Sequence, residues 1–417
     1  MVPVVTSPAL QRRLGLGDAV FIGLGSMVGA GVFAVWGPAT QAAGGWLLLG
    51  LAIAALVAYC NATASGQLAA AHPTSGGTYA YGRAELGEWW GFVAGWCFII
   101  GKLASCAAMA LIFAAYAAPP GWERPVGILA VAALVGVNLL GVTRTAQLTR
   151  VIVVVALVGL ALVVAGGISI AGSAHPAGLA MGSPYGVLQS AGLLFFAFAG
   201  YARIATMGEE VKDPRRTIPR AIVLAFVCAV VIYTVVGAVV LTTLGAATAT
   251  SAAPLADVVD AAGWTWALPI VRISAAAASL GALLALIAGI GRTSLAMARE
   301  GDLPRFLSAV HPRSHVPHRA ELATGIIVIA AVALVDLRGV IGFSSFGVLL
   351  YYLVANLAAF RQGGEVRRYP RVLQVAGAIG CLVLAFSLPW QSAVAGVAVV
   401  LVGIVVRAAR LHFTRAA

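Results

Sequence analysis

Gly23-Leu24-Gly25-Ser26-Met27-Val28-Gly29-Ala30-Gly31 places four glycines inside the first apolar run of the chain. Each glycine costs a helix about 1 kcal/mol relative to alanine, so a helix entering this stretch is expected to break within it. A later apolar run carries a second interruption at Phe198-Ala199-Gly200. Irregular backbone at membrane depth survives only where protein buries it or where it lines a polar cavity. Paired breaks in two halves of one chain therefore point to a binding site between spans.

The surrounding composition sets the class. Of 417 residues, 61% are hydrophobic and 10% charged, with a mean hydropathy of +0.99. Such a chain is an all-α polytopic membrane protein rather than a soluble one. Apolar runs near 16–43, 46–70, 89–117, 126–142, 151–172, 186–207, 220–245, 266–297, 321–336, 340–360, 372–388 and 391–410 predict about twelve transmembrane helices. Asp336-Leu337-Arg338-Gly339 makes a very short turn between the ninth and tenth. No inserted soluble domain is read, and the residues before the first run lack a signal-peptide pattern.

The net charge of +12 reports topology, not nucleic acid. Arg12 and Arg13, Arg83, Arg144 and Arg150, Lys212 to Arg220, Arg292 to Arg319, Arg361 to Arg371, and Arg407 to Arg415 recur in alternate connections. The opposite connections hold only Arg124, Arg272 and Arg338. The positive-inside rule makes the basic face cytoplasmic, with both termini inside. The bilayer itself is a partner, anionic lipid attraction being secondary. Cys60, Cys97, Cys106, Cys228 and Cys381 fall within the predicted spans without metal-ligand spacing, so neither a disulfide nor a metal is expected. His72, His311, His315 and His318 sit in polar connections beside prolines and arginines. No cofactor motif and no nucleophile arrangement appears, so catalysis is not expected.

Seven stretches, taken together, carry a resemblance. Gly23 to Phe33 is followed by Pro73-Thr74-Ser75-Gly76-Gly77-Thr78-Tyr79 and by Gly95-Trp96. Phe196-Ala197-Phe198-Ala199-Gly200-Tyr201 runs into Glu209-Glu210-Val211-Lys212-Asp213-Pro214 and Thr217-Ile218-Pro219, and Ala296-Met297-Ala298-Arg299-Glu300-Gly301-Asp302-Leu303-Pro304 comes later. In order and over most of the chain, these resemble the amino acid, polyamine and organocation transporter family. The resemblance implies a LeuT-type fold, with inverted five-helix repeats at 15–172 and 186–360 and two additional helices over 372–410. Tails of 1–14 and 411–417 would then lie in the cytoplasm, and the membrane would be the plasma membrane.

Within that frame the breaks suit an α-amino acid. Amides freed near Gly29, Ala30 and Gly31 lie at a positive helix end that favours a carboxylate. Carbonyls of Ser26, Met27, Val28, Phe198 and Ala199 are available to an ammonium, with Gly200 and Tyr201 completing the second break. A plain glycine packing face, for which Gly25 to Gly29 also qualifies, is the competing reading. None of the fourteen acidic residues falls at mid-span. The family's cationic transporters often carry Asp after the Gly-aromatic pair of helix 6 and Glu in helix 3, where this chain has Ala202 and Gly101. Neutral substrates are therefore favoured. Acidic amino acids come next, and cationic amino acids or polyamines are disfavoured.

Two basic residues lie deep. Lys102 is central in the third span, and Arg203 follows the second break. Lys102 is read either as a proton-responsive cation or as a fixed ammonium satisfied by groups such as Ser105. Some proton-coupled relatives use a lysine where this chain has Ala156, so proton-coupled symport and exchange both stay open. Arg203 is read as a gate or an ion pair with Glu210, or as a substrate contact. Glu209, Glu210, Lys212 and Arg215 are read either as a cytoplasmic charge network forming an inner gate or as a plain solvated run. A membrane amino acid sensor is the reading from another functional class.

Overall fold

The broken first run folds as α1 (Leu16–Met27), α2 (Gly31–Ala34) and α3 (Trp36–Ala43) in the computed structural model, which describes residues 14–29, 31–73, 76–141, 146–171, 179–207 and 210–416. Amides of Val35 and Ala39 continue the ladder from α2 into α3, and among the described residues the span leaves the helix at Val28 and Gly29. The second run gives α4 (Leu47–Ala71), and a short polar helix α5 (Gly77–Leu86) leads to α6 (Glu88–Ala117). Then come α7 (Glu123–Leu139) and α8 (Ala146–Ser169).

The order recurs. A broken span, α9 (Pro184–Phe198) and α10 (Ala202–Ala205), is joined by a 3-10 turn over Ala199–Tyr201. It precedes α11 (Pro214–Leu244), the short α12 (Pro254–Ala261), α13 (Leu268–Arg299), α14 (His318–Leu334) and α15 (Leu337–Arg361). The lengths match in sequence, 25, 10, 30, 17 and 24 residues for α4 to α8 against 31, 8, 32, 17 and 25 for α11 to α15. Two further helices, α16 (Arg371–Ser387) and α17 (Trp390–Ala416), end the chain. Among the described residues nine helical stretches are long and apolar enough to cross a membrane. With α7, α14 and α16, of 17 residues each, every apolar run read from the sequence carries helix. Asp336 makes the tight α14–α15 turn by accepting a hydrogen bond from the Gly339 amide as an N-cap. Helices α5 and α12 were not anticipated, because each is too short and too polar to register as a span.

Small residues and buried amides hold the bundle together, since lipid offers no hydrophobic drive between helices. Helices α6 and α15 meet backbone to backbone. A Cβ at Gly347 would lie 2.8 Å from the Gly101 Cα, and the Ser105 and Ser344 hydroxyls bond at 2.7 Å one turn away. The Asn356 amide donates to Asn61 Oδ1 at 2.6 Å across α15 and α4, and Gln67 donates to the Ala359 carbonyl at 3.0 Å. All three amides are buried.

The two broken spans are clasped at both ends. Leu14 pairs with Val211 on the basic face, and Gly44 pairs with Met181 on the other. Gly347→Ala is expected to lower stability by about 1–3 kcal/mol, because the new methyl meets backbone that cannot yield. Gly136→Ala, which meets nothing within 4 Å inside α7, should leave stability unchanged or raise it by up to about 1 kcal/mol. Thermal unfolding of both purified variants checks the contrast.

Candidate functional site

The two breaks face each other without a gap. Ser26, Met27, Val28 and Gly29 close the first half of span one, and Ala30 lies outside the described residues. A Cβ at Gly200 would overlap the Ser26 carbonyl, and one at Gly31 would sit 2.8 Å from the Ala197 Cα. Only glycine permits either approach. Gly29 is different: a Cβ there finds its nearest neighbour, Ala282 of α13, at an ordinary 3.4 Å. Among the described residues neither the Gly29 nor the Gly31 amide has a hydrogen-bond acceptor. Gly31 is thus a packing glycine at the span-one to span-six contact as well as a bearer of a free amide, and a larger side chain there acts first on that contact.

Tyrosine hydroxyls satisfy the carbonyls that the breaks expose. Tyr233 of α11 reaches both at once, 2.6 Å from the Met27 carbonyl and 2.9 Å from that of Ala197. Its ring lies against Phe198, with centroids 5.0 Å apart. Tyr116 of α6 donates to the Phe33 carbonyl at 2.7 Å, and Tyr81 of α5 donates to that of Ala205 at 3.0 Å. Tyr352 of α15 lies 3.4 Å from the Ala199 carbonyl and packs on Tyr201. Two of the carbonyls offered to an ammonium, those of Met27 and Ala199, therefore already hold a hydroxyl, though each retains a second lone pair. Phe198, Ala199 and Tyr201 are buried beside them. Sequence reading missed these tyrosines because Tyr233 and Tyr116 sit in runs that read as uniform apolar helix.

Lys102 is buried at the centre of α6 and has no hydrogen-bond or carboxylate partner among the described residues. Ser105, a candidate partner, instead bonds the Gly101 carbonyl and Ser344. Arg203 projects to an exposed position and reaches Thr206 Oγ1 at 3.5 Å. No Arg203–Glu210 ion pair forms. The Glu210 backbone carbonyl accepts from Leu14, and the Lys212 amide donates to the Leu14 carbonyl, so this segment meets the entry to span one through backbone. Glu209 lies outside the described residues, as do Arg12, Arg13, Arg144, Thr74 and Ser75. Asp18 bonds the Gly15 amide and pairs with Arg150 of α8.

Each mouth of the bundle is tied by an arginine network. On the basic face Asp302 receives Arg407 at 2.9 Å, Arg83 at 3.2 Å and the Tyr79 hydroxyl at 2.9 Å. Burial, and then the neighbouring Asp302 carboxylate, push the Tyr79 hydroxyl up, which keeps it a donor at neutral pH. The Arg407 guanidinium lies over Trp89 and Phe92 at 4.6 and 4.8 Å. On the other face Arg338 reaches Gln41 of α3 and Gln189 of α9.

Two apposed broken spans in a helical membrane bundle are the arrangement expected of a membrane transporter. The sequence matches the amino acid permease family model over residues 18–410, and the chain belongs to that family. It is 55% identical to an uncharacterised transporter of Mycobacterium tuberculosis, over 98% of this chain and 93% of that one. A branched-chain amino acid permease of Bacillus subtilis is 26% identical, over 95% of this chain and 92% of its own. A human cationic amino acid transporter is 28% identical, over 82% of this chain and 58% of its own.

Tyr233→Phe is expected to lower stability by about 1–3 kcal/mol, the cost of leaving buried carbonyls unpaired, with the packing of the ring intact. Thermal unfolding checks this, and an unchanged midpoint would mean that the hydroxyl is not what holds the breaks.

Proposed function

We propose that this permease carries neutral α-amino acids across the plasma membrane by alternating access, with the substrate held between the two breaks. The observation that carries the reading is the pair of amides at Gly29 and Gly31 that have no acceptor among the described residues, in a break whose Gly31 packs on Ala197 of the second broken span. Amides at a positive helix end suit a carboxylate, and the carbonyls suit an ammonium. The recurring order of helix lengths supports two inverted units at 15–172 and 186–360, with 372–410 added outside them. The charge distribution supports a cytoplasmic basic face. Leu14, Val211 and the Asp302 network then form the inner closure, and Arg338 the outer one.

Neutral selectivity follows from charge. Lys102 adds a buried positive charge, and no carboxylate lies at mid-span in α6 or either broken span to receive a second ammonium. The permease from Bacillus subtilis, named for branched-chain substrates, agrees with this. The human relative, named for cationic ones, marks the alternative that Lys102 opposes. Acidic amino acids are the second reading, because Lys102 supplies a counter-charge.

Lys102 is also the group proposed to couple transport to protons, since a buried ammonium without a fixed partner changes charge readily. Proteoliposomes loaded with labelled neutral amino acids test both points. Flux is expected for neutral amino acids and not for lysine or arginine; binding without flux would make the protein a sensor. Lys102→Ala should abolish pH-driven accumulation while counterflow exchange persists. Undiminished accumulation in that variant would remove Lys102 from coupling. Gly29→Ala should weaken binding about tenfold or more by filling the space at the free amides, without the loss of folding expected of Gly200→Ala.

A further inference from the structure

Helix α11 enters the bundle at its basic end carrying Arg216, Arg220 and Leu224 at four-residue spacing, and so on one face. With Arg368 and Tyr369, from the connection between α15 and α16, this face encloses a groove of ≈ 690 Å³. The second wall is rigid. The buried Gln67 side chain accepts hydrogen bonds from the Arg368 and Tyr369 amides at 3.1 and 3.2 Å, which fixes where Arg368 stands.

The three guanidinium groups lack adequate counter-charges. Among the described residues neither Arg220 nor Arg368 has a carboxylate within ion-pair distance. Arg216 has only Asp213, at 4.0 Å, with both side chains largely exposed. Below the arginines the same face of α11 continues as exposed Leu224, Val227, Val231 and Val235. The groove therefore has a cationic head at the membrane boundary and an apolar stripe running from it into hydrocarbon.

We propose that this groove binds one anionic phospholipid, its phosphate among Arg216, Arg220 and Arg368 and an acyl chain along Leu224 to Val235. Charge complementarity selects an anionic headgroup, and the stripe selects a lipid over a soluble phosphate. The site lies apart from the breaks and does not depend on which substrate they take.

Binding of fluorescent phosphatidylglycerol to the full-length protein in detergent tests the site, with unlabelled phosphatidylglycerol, phosphatidylcholine and glycerol phosphate as competitors. Phosphatidylglycerol is expected to compete, and the other two to do so at least about tenfold more weakly. The Arg216→Gln, Arg220→Gln, Arg368→Gln triple variant should bind about 100-fold more weakly. An Arg313→Gln, Arg319→Gln control on the same face should bind normally. Equal competition by phosphatidylcholine or glycerol phosphate overturns the proposal. So does normal binding by the triple variant, or an equal loss in the control, which would reveal general surface attraction. If the triple variant is not monodisperse, competition on the unaltered protein decides the question by itself.

Discussion

An unpaired backbone carbonyl in hydrocarbon costs several kcal/mol, and the rest of this structure is arranged around meeting that demand at two places. The first broken span (α1 to α3) and the second (α9 and α10) both leave regular helix partway along their length. Once broken, they expose carbonyls that no helix satisfies. Four tyrosines, from α5, α6, α11 and α15, reach in to cap Phe33, Ala199, Ala205, and Met27 with Ala197. The phenol suits this task because its ring packs with apolar neighbours while its hydroxyl donates a hydrogen bond. Most of the helices that surround the breaks thus also hold them in shape.

The same arrangement keys several unbroken helices to one another. Helices α6 and α15 share a glycine contact and a serine bond, and α4 is keyed to α15 by Asn61, Asn356 and Gln67. Against that frame the broken spans touch each other through glycines and single backbone bridges. Two polar networks, at Asp302 and Arg338, lie at opposite mouths. Under the alternating-access proposal, these two networks are the ties that open in turn.

The positions of the two breaks were legible because glycine content is a local signal. Gly29, Gly31 and Gly200 mark the breaks by what they lack, and the breaks fall where the glycines stand. Side-chain partnerships were less legible. Arg203 and Glu210, seven residues apart, looked like a pair, yet α10 ends at Ala205, between them, which removes the common helical face. Ser105 looked like a partner for Lys102 but turns toward Ser344 of a helix some 240 residues away, a distance over which local spacing carries no information.

The sequence by itself determined that this is a helical membrane protein, how many apolar segments it has, where two of them break, and which face is basic. Hydropathy, glycine content and charge act locally, so each is readable along one dimension. The tertiary structure alone decided which residues close the breaks. Tyr233, Tyr116 and Tyr352 become partners of Met27, Phe33 and Ala199 only when helices remote in sequence pack side by side. Arg407 meets Asp302 for the same reason. Hydrogen bonds of this kind depend on three-dimensional proximity, and nothing in the residues flanking either partner records it.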